Sequence, residues 1–252
     1  MRRVFVIAAA ALMALGVGHP ARAETRMPQH FRFQSLFGTY DKASLQVGFA
    51  VYQADCASCH GLSLVHYRDL AHLGLSPRDI AAIVSRIKVR KGVDAAGKPV
   101  MVPATPRDAF KSPFPNAAAA AQKFHGAIPP DLSLIERGHR DGADFVFSLL
   151  MGYRSAPPNV TVLPHNFYNI AYPGGQIAMG PALKPDSVTL ADGKKPSAQA
   201  MAHDVAAFLA WTADPTLDQR KAVGLRIIIF LLILGVIGGL AIRAQQRMDR
   251  RA

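Results

Sequence analysis

Apolar residues in the first half of the chain recur at the spacing of an amphipathic helix. After Asp41, the residues Leu45, Phe49 and Tyr52 fall three or four positions apart, and Asp41 itself is a favourable N-cap residue. This pattern predicts a helix that begins after Asp41 and ends at the pair of cysteines that follows.

Three further segments carry the start signals or the spacing of helices. Ser76, Pro77 and Asp79 would occupy the N-cap, the first and the third positions of a second helix. A third helix is predicted over residues 143–151, and a fourth over about residues 197–211.

The segments between these helices are rich in proline and glycine and poor in alternating apolar residues. The composition of residues 88–130 in particular predicts long ordered loops that cover a bound group, and not a sheet. We therefore expect a mainly α domain whose helices wrap around a bound group while long Pro/Gly-rich loops close its edge.

The C-terminal part of the chain contains a long apolar run. Residues 227–242 carry no charge, and the 21 residues 222–242 are interrupted by a charge only at Arg226. Because about 20 apolar residues cross the hydrocarbon core of a bilayer as a helix, the run predicts one transmembrane helix, with Arg226 snorkelling at one end.

The N-terminus has the features of a secretory signal peptide. Two arginines precede an apolar core over residues 4–18, and Ala21, Arg22 and Ala23 form a small-x-small cleavage site. We expect cleavage after Ala23, because the apolar core is short for a membrane span.

These segments divide the chain into four parts. We expect a signal peptide over residues 1–23, a periplasmic domain over 24–219, a transmembrane helix over 220–243 and a short basic cytoplasmic tail over 244–252. The orientation follows mainly from the signal peptide, and the arginines of the tail agree weakly with the positive-inside rule. The predicted location is the bacterial inner membrane, crossed once.

Net charge has to be interpreted after this division. The whole chain carries a formal +12, but the signal peptide and C-terminal segment hold ten of its 29 basic residues. Residues 24–219 carry 19 Lys and Arg against 16 Asp and Glu, which leaves +3. With no basic reading motif in this domain, no nucleic-acid partner is predicted.

The sequence "QADCASCHGL" contains both cysteines of the chain, Cys56 and Cys59, with His60 directly after them. Cys-x-x-Cys-His is the attachment motif of haem c, in which the thiols form thioether bonds and the histidine is an axial iron ligand. Two alternatives are a thiol–disulfide redox pair and half of a zinc site. A zinc site is the weakest of the three interpretations, because no second pair of ligands with comparable spacing follows.

A c-type haem also needs a sixth ligand or an open position. Met179 lies in the Gly/Pro-bounded loop "YPGGQIAMGPAL", far downstream of His60, and is the candidate that this loop position favours. Met151 and Met201 lie in predicted helices, where core packing is the expected role. The other candidates are Met27, Met101, Met248, His66, His72, His125, His139, His165 and His203.

Several longer stretches resemble the cytochrome c1 family, the haem c subunits of ubiquinol–cytochrome c reductases, or complex III. They are "LFGTYDKASLQVGFAVYQADCASCHGLSLVHYRDL", "FKSPFPN", "GAIPPDLSLI", "DFVFSLLMGY", "YPGGQIAMGPAL" and "FLAWTADPTLDQRKAVGL". The resemblance covers nearly all of the mature chain, in order and with similar spacings.

The resemblance implies one covalently bound haem c, with thioether links at Cys56 and Cys59 and axial ligands His60 and Met179. The PPDLS segment, residues 129–133, would pack along the haem edge near the propionates. The implied role is to take one electron from a Rieske iron–sulfur protein and pass it to a cytochrome c, in a dimeric complex that includes cytochrome b. Such a subunit is redox-active but breaks no substrate bond on its own.

Two departures from the family pattern bear on partners and on the haem propionates. Where the family commonly has an arginine that meets a propionate, this chain has His139, flanked by Arg137 and Arg140. The slightly basic domain also lacks the acidic stretches that attract a basic cytochrome c in the family, so it suits a neutral, acidic or membrane-tethered acceptor. The closest alternative function is a membrane-anchored cytochrome c of another periplasmic oxidoreductase.

Overall fold

Helices form most of the regular structure in this computed structural model, which describes residues 25–190 and 192–250. The predicted signal peptide lies outside the described residues. The α-helices are α1 Lys42–Val51, α2 Pro77–Val84, α3 Ala117–Lys123, α4 Ala143–Met151, α5 Ala198–Ala213 and α6 Leu217–Asp249. The expected mainly α fold class is confirmed.

The strands form three small antiparallel pairs. They are β1 Leu62–His66 with β4 Ala109–Phe110, β2 Lys88–Val93 with β3 Pro99–Pro103, and β5 Phe167–Tyr168 with β6 Gln176–Ile177. The β2–β3 hairpin and helix α3 lie in residues 88–130, so the prediction that this stretch consists of loops alone was wrong. Both strands of the hairpin are largely exposed, and an exposed ribbon lacks the one-sided apolar alternation that identifies a strand in sequence.

Capping bonds confirm three of the predicted helix starts. The Asp41 carboxylate accepts a hydrogen bond of 2.8 Å from the backbone N–H of Ala43. Ser76 and Asp79 form a reciprocal capping box at the start of α2, and the hydroxyl of Ser197 accepts from the N–H of Ala200 at the start of α5.

The core is built where α1 and α4 pack against α5. Gly48 of α1 allows this close approach, because a Cβ atom there would overlap the carbonyl oxygen of Asp204 and lie 2.7 Å from the Cβ of Phe208. The rings of Phe49 and Tyr52 pack against Phe208 with centroids 5.7 and 5.8 Å apart. This contact holds the C-terminal end of α1, which leads into the cysteines, against the core.

Helix α6 leaves the domain through a short, bonded joint. Asp214 follows α5 and forms ion pairs with Arg137 and Arg220, and the hydroxyl of Tyr40 donates to the carbonyl of Ala210 at 3.1 Å. The side chain of Asp218 accepts from the backbone N–H of Tyr40 at 3.1 Å. The first turn of α6 is therefore fixed to the domain on several sides.

Among the described residues, α6 is the one helix long and apolar enough to cross a membrane. Its 33 residues give a length of about 50 Å at a rise of about 1.5 Å per residue, which exceeds the roughly 30 Å hydrocarbon core. None of its residues is buried against the domain. The predicted membrane helix is confirmed, and its helical structure extends beyond residues 220–243 at both ends.

Candidate haem-attachment site

Cys56, Cys59 and His60 lie together in one tight turn at the end of α1. Helix α1 continues as a π-helical turn over Tyr52–Cys56, after which the backbone N–H groups of Cys59 and His60 both donate to the carbonyl of Cys56, at 3.0 and 2.9 Å. Cys56 is buried and Cys59 is partly exposed. The turn therefore gathers two thiols and an imidazole at one edge of the core.

The imidazole of His60 is oriented by a backbone carbonyl. Its Nδ1 lies 2.8 Å from the carbonyl oxygen of Pro130, and because a carbonyl only accepts, Nδ1 carries the proton and Nε2 keeps its lone pair. Burial lowers the pKa of His60, against the opposing effects of the Pro130 bond and the Asp131 charge. The ring is thus neutral at neutral pH, the form that binds a metal ion.

The PPDLS segment, residues 129–133, lies along the strand that follows His60. The backbone N–H of Leu132 donates to the carbonyl of Gly61 at 2.9 Å. The Asp131 carboxylate accepts from the N–H of Ser63 at 2.8 Å, and the hydroxyl of Ser133 accepts from Leu64 at 3.1 Å. This segment therefore fixes the backbone after His60 as well as the imidazole itself.

The environment of the cysteines disfavours the two alternative readings of the motif. Burial, with smaller contributions from Asp55 and Cys59, raises the pKa of the Cys56 thiol to about 12, whereas exchange-active cysteines have lowered values. Within residues 25–190 and 192–250, no three His, Cys, Asp or Glu side chains come together as a metal site. The zinc reading therefore has no ligand set in the described part of the chain.

Met179 lies two residues beyond β6, in a loop that the β5–β6 pair and two glycines shape. Gly174 and Gly175 both have φ of 75°, a conformation that favours glycine. The hydroxyl of Tyr153 donates to the carbonyl of Met179 at 2.8 Å. Met179 is half-buried, whereas Met201 is fully buried in α5 as a core residue, as predicted.

Asp55 connects the attachment turn to the segment that follows Met179. Its Oδ2 accepts a 2.8 Å hydrogen bond from the hydroxyl of Ser187 and a 3.4 Å bond from the N–H of Lys184. Asp55 is only 9 % exposed, and its Oδ1 has no partner among the described residues. In the described part of the chain no hydrogen bond joins His60 to Met179 directly, so the bonds of Asp55 are what link the two segments.

Sequence reasoning missed Asp55, because an aspartate before a cysteine belongs to no recognised motif.

The three residues considered for a haem propionate surround one cavity of about 300 Å³ near the start of α6. Arg137 donates to the carbonyl of Ala213 at 3.0 Å, and the ring of His139 stacks on Phe145 at 3.5 Å. Arg140 also lines this cavity. The guanidinium of Arg26 lies 5.0 Å from the ring centre of Phe145 and forms an ion pair with Asp141.

The donor set fits a covalently attached haem. Two adjacent thiols can form thioether bonds, the free Nε2 of His60 can bind iron on one face, and the Met179 thioether is a ligand of the type that completes such sites. The ring of Phe167, 44 % exposed, lies 3.1 Å from the position a Cβ on Gly180 would occupy, so apolar surface adjoins Met179. With a helical domain and one membrane helix, these are the features of the membrane-anchored c-type cytochromes.

Comparison with known proteins gives the family. A model of the cytochrome C1 family matches residues 31–248, and the chain belongs to this family. Cytochrome c1 of Rhodospirillum rubrum is 36 % identical, with 89 % of this chain and 90 % of the relative covered. The mitochondrial cytochrome c1-2 heme protein of Solanum tuberosum is 39 % identical over 80 % of this chain and 77 % of its own. The mitochondrial cytochrome c1 heme protein of Saccharomyces cerevisiae is 39 % identical, with 77 % and 63 % covered.

Family membership implies haem c and a place in the cytochrome bc1 complex. Among the described residues, α6 is the helix that anchors the chain in a membrane. The chain is thus a membrane subunit of the respiratory chain.

Proposed function

We propose that the chain holds one haem c, attached through Cys56 and Cys59 and ligated on one face by His60. The observation that carries this proposal is the 2.8 Å contact between His60 Nδ1 and the Pro130 carbonyl, which leaves Nε2 available in the turn that holds both thiols. When bound, the haem supplies a one-electron redox couple. The protein contributes the ligands, the buried surroundings and the docking surfaces.

A pyridine haemochrome spectrum of solubilised membranes tests this attachment. We expect the α band of a c-type haem that survives acid–acetone extraction, and its loss when Cys56 and Cys59 are both replaced by serine. Ser58→Ala, within the same turn, is the matched control and should leave the band in place. Wild-type protein without covalent haem would refute the proposal and favour a thiol–disulfide redox pair at Cys56 and Cys59.

Met179 is the proposed sixth ligand. Its loop is held by Tyr153, and Asp55 ties the segment that follows the loop to the attachment turn. Met179→Leu should lower the reduction potential and open the sixth position to carbon monoxide, because a thioether ligand favours reduced iron. Met101→Leu, the same change at a side chain that is 51 % exposed in the β2–β3 hairpin, should alter neither. An unchanged spectrum and potential in Met179→Leu would show that another residue is the ligand.

We further propose that this subunit accepts one electron from a Rieske iron–sulfur protein and passes it to a cytochrome c or an equivalent acceptor. Membership of the cytochrome c1 family supports this role. The chain would assemble with cytochrome b and the Rieske protein in a dimeric complex, and it would be redox-active without being catalytic alone. The near-neutral charge of residues 24–219, 19 basic against 16 acidic, suits an acceptor that is not strongly basic.

Purification of the tagged chain in mild detergent tests this assembly. Cytochrome b and the Rieske protein should co-purify with it and should be identified by mass spectrometry. Co-purification with a dehydrogenase, and without cytochrome b, would favour the alternative of a cytochrome c anchored for another oxidoreductase.

The proposed topology places the domain in the periplasm, with residues 1–23 removed and residues 244–252 in the cytoplasm. The signal peptide features and the confirmed membrane helix support this orientation. N-terminal sequencing should begin at Glu24, and a C-terminal green fluorescent protein should fluoresce, because it folds in the cytoplasm. A fusion protein that is present at normal abundance but does not fluoresce would show that the C-terminus lies outside the cytoplasm.

A further inference from the structure

Two large apolar side chains stand side by side at the tip of a surface loop. In the loop Phe33–Gly38, Leu36 is 76 % exposed and Phe37 is 72 % exposed. Isolated exposed apolar residues are common, but two adjacent ones at the tip of an ordered loop indicate a surface that contacts something apolar.

This loop is held rigidly against the start of the membrane helix. The ammonium group of Lys221 in α6 donates to the carbonyls of Phe33 and Ser35, both at 2.6 Å, and to that of Gly38 at 2.9 Å. At Gly38 the chain closes so tightly that an added Cβ would overlap the carbonyl oxygen of Arg32. The base of the loop is therefore fixed to α6, and Leu36 and Phe37 lie exposed between the bonded positions.

The point of attachment sets the height of the loop relative to the bilayer. The run that crosses the hydrocarbon core begins at Ala222, with Arg226 snorkelling, so Lys221 precedes it by one position, or about 1.5 Å along the helix axis. Each headgroup region adds roughly 5–8 Å to the hydrocarbon core. The base of the loop is thus at the level of the lipid headgroups, and a leucine or phenylalanine side chain at its tip can reach the acyl boundary.

We propose that Leu36 and Phe37 insert into the phospholipid surface and give the domain a second membrane contact beside α6. The partner is a lipid bilayer at the headgroup–acyl boundary, where interfacial apolar side chains bind. Arg32, at the base of the loop, is exposed, so a cation is available for lipid phosphates. The proposal requires α6 to span the bilayer, and it is independent of the haem assignment.

Nitroxide labels at Leu36→Cys and Phe37→Cys test this contact in the full chain, reconstituted with its co-purifying subunits into nanodiscs that contain phosphatidylglycerol. Electron paramagnetic resonance measures label collisions with oxygen, which partitions into lipid, and with a water-soluble nickel chelate. Phe230→Cys, within the apolar run of α6, is the lipid control, and Val93→Cys, 62 % exposed in the β2–β3 hairpin, is the water control.

The oxygen-to-nickel collision ratio at both tip positions should be several-fold above that of Val93→Cys and below that of Phe230→Cys. A ratio equal to the water control would overturn the proposal, and so would low collision rates with both reagents, because a protein partner then covers the tip. Wild-type protein is labelled in the same way as a control, because its signal gives the background from nitroxide bound to Cys56 and Cys59. Circular dichroism checks folding, so the result can be interpreted even if the haem proposal fails.

Discussion

Gly48 offers a direct test of how the crossing of α1 and α5 positions the haem-attachment turn. Gly48→Ala adds one Cβ atom, which would lie 2.6 Å from the carbonyl carbon of Asp204 and 2.7 Å from the Cβ of Phe208. Ordinary van der Waals contact begins near 3.4 Å. Because the Cβ would also overlap the carbonyl oxygen of Asp204, the two helices would have to separate by more than about an ångström, and none of these obstacles is the flexible end of a side chain.

Two opposing effects set the size of the change. Overpacking a well-packed core costs about 1–3 kcal/mol or more, while replacing glycine by alanine inside a helix stabilises by about 1 kcal/mol. Because the clash is with a helix backbone, we use the upper end of the overpacking cost. The expected net loss in the free energy of unfolding is about 2 kcal/mol. For a domain of this size, this corresponds to a fall of roughly 4–8 °C in the midpoint of thermal unfolding.

Thermal unfolding of the detergent-solubilised chain, followed by circular dichroism, measures this change. Gly138→Ala is the control, because its added Cβ meets its nearest neighbour at 3.5 Å, an ordinary contact, and the midpoint should move little. If Gly48→Ala melted at or above the wild-type temperature, the close crossing of α1 on α5 would not be a constraint on the fold. The position of Cys56 would then not depend on this crossing.

Three further outcomes follow from the described contacts. Asp55→Asn should raise the haem reduction potential by roughly tens of millivolts in a redox titration, because it removes a buried negative charge beside the attachment turn. Tyr52→Phe removes the hydroxyl that donates to the carbonyl of His60 at 2.9 Å, and we expect a loss of about 1 kcal/mol in denaturant unfolding. Hydrogen bonds, first that from the Thr105 N–H, lower the pKa of Asp108 to about 2. The stability difference between wild type and Asp108→Asn should therefore be fully present above pH 4 and be lost as the pH falls through about 2; a difference of unchanged size at pH 2 would contradict this assignment.

Three of the helices that the sequence predicted begin at a local capping signal. The N-cap bonds of Asp41 and Ser197 and the capping box of Ser76 join residues within three positions of one another, so the sequence alone contains both partners. The membrane helix was equally predictable, because its length and composition are properties of one continuous segment.

The features that sequence reasoning missed depend on distant or exposed residues. The bond between Asp55 and Ser187 joins positions 132 residues apart, and no local pattern contains both partners. The β2–β3 hairpin is closed by a turn in which Asp94 accepts from the N–H groups of Ala96 and Lys98, but its exposed strands lack one-sided apolar alternation. The motif therefore located the attachment turn, while the contacts that hold the turn in place required the folded chain.

The joint at Asp214 limits how the domain can move relative to its membrane helix. Ion pairs to Arg137 and Arg220 and the bonds of Tyr40 lock the domain onto its membrane helix, so the domain has little freedom to swing. The proposed haem would then remain at a constant height above the bilayer. Since electron tunnelling weakens steeply with distance, the proposed electron transfer would then depend on movement of the donor and the acceptor, and not of this domain.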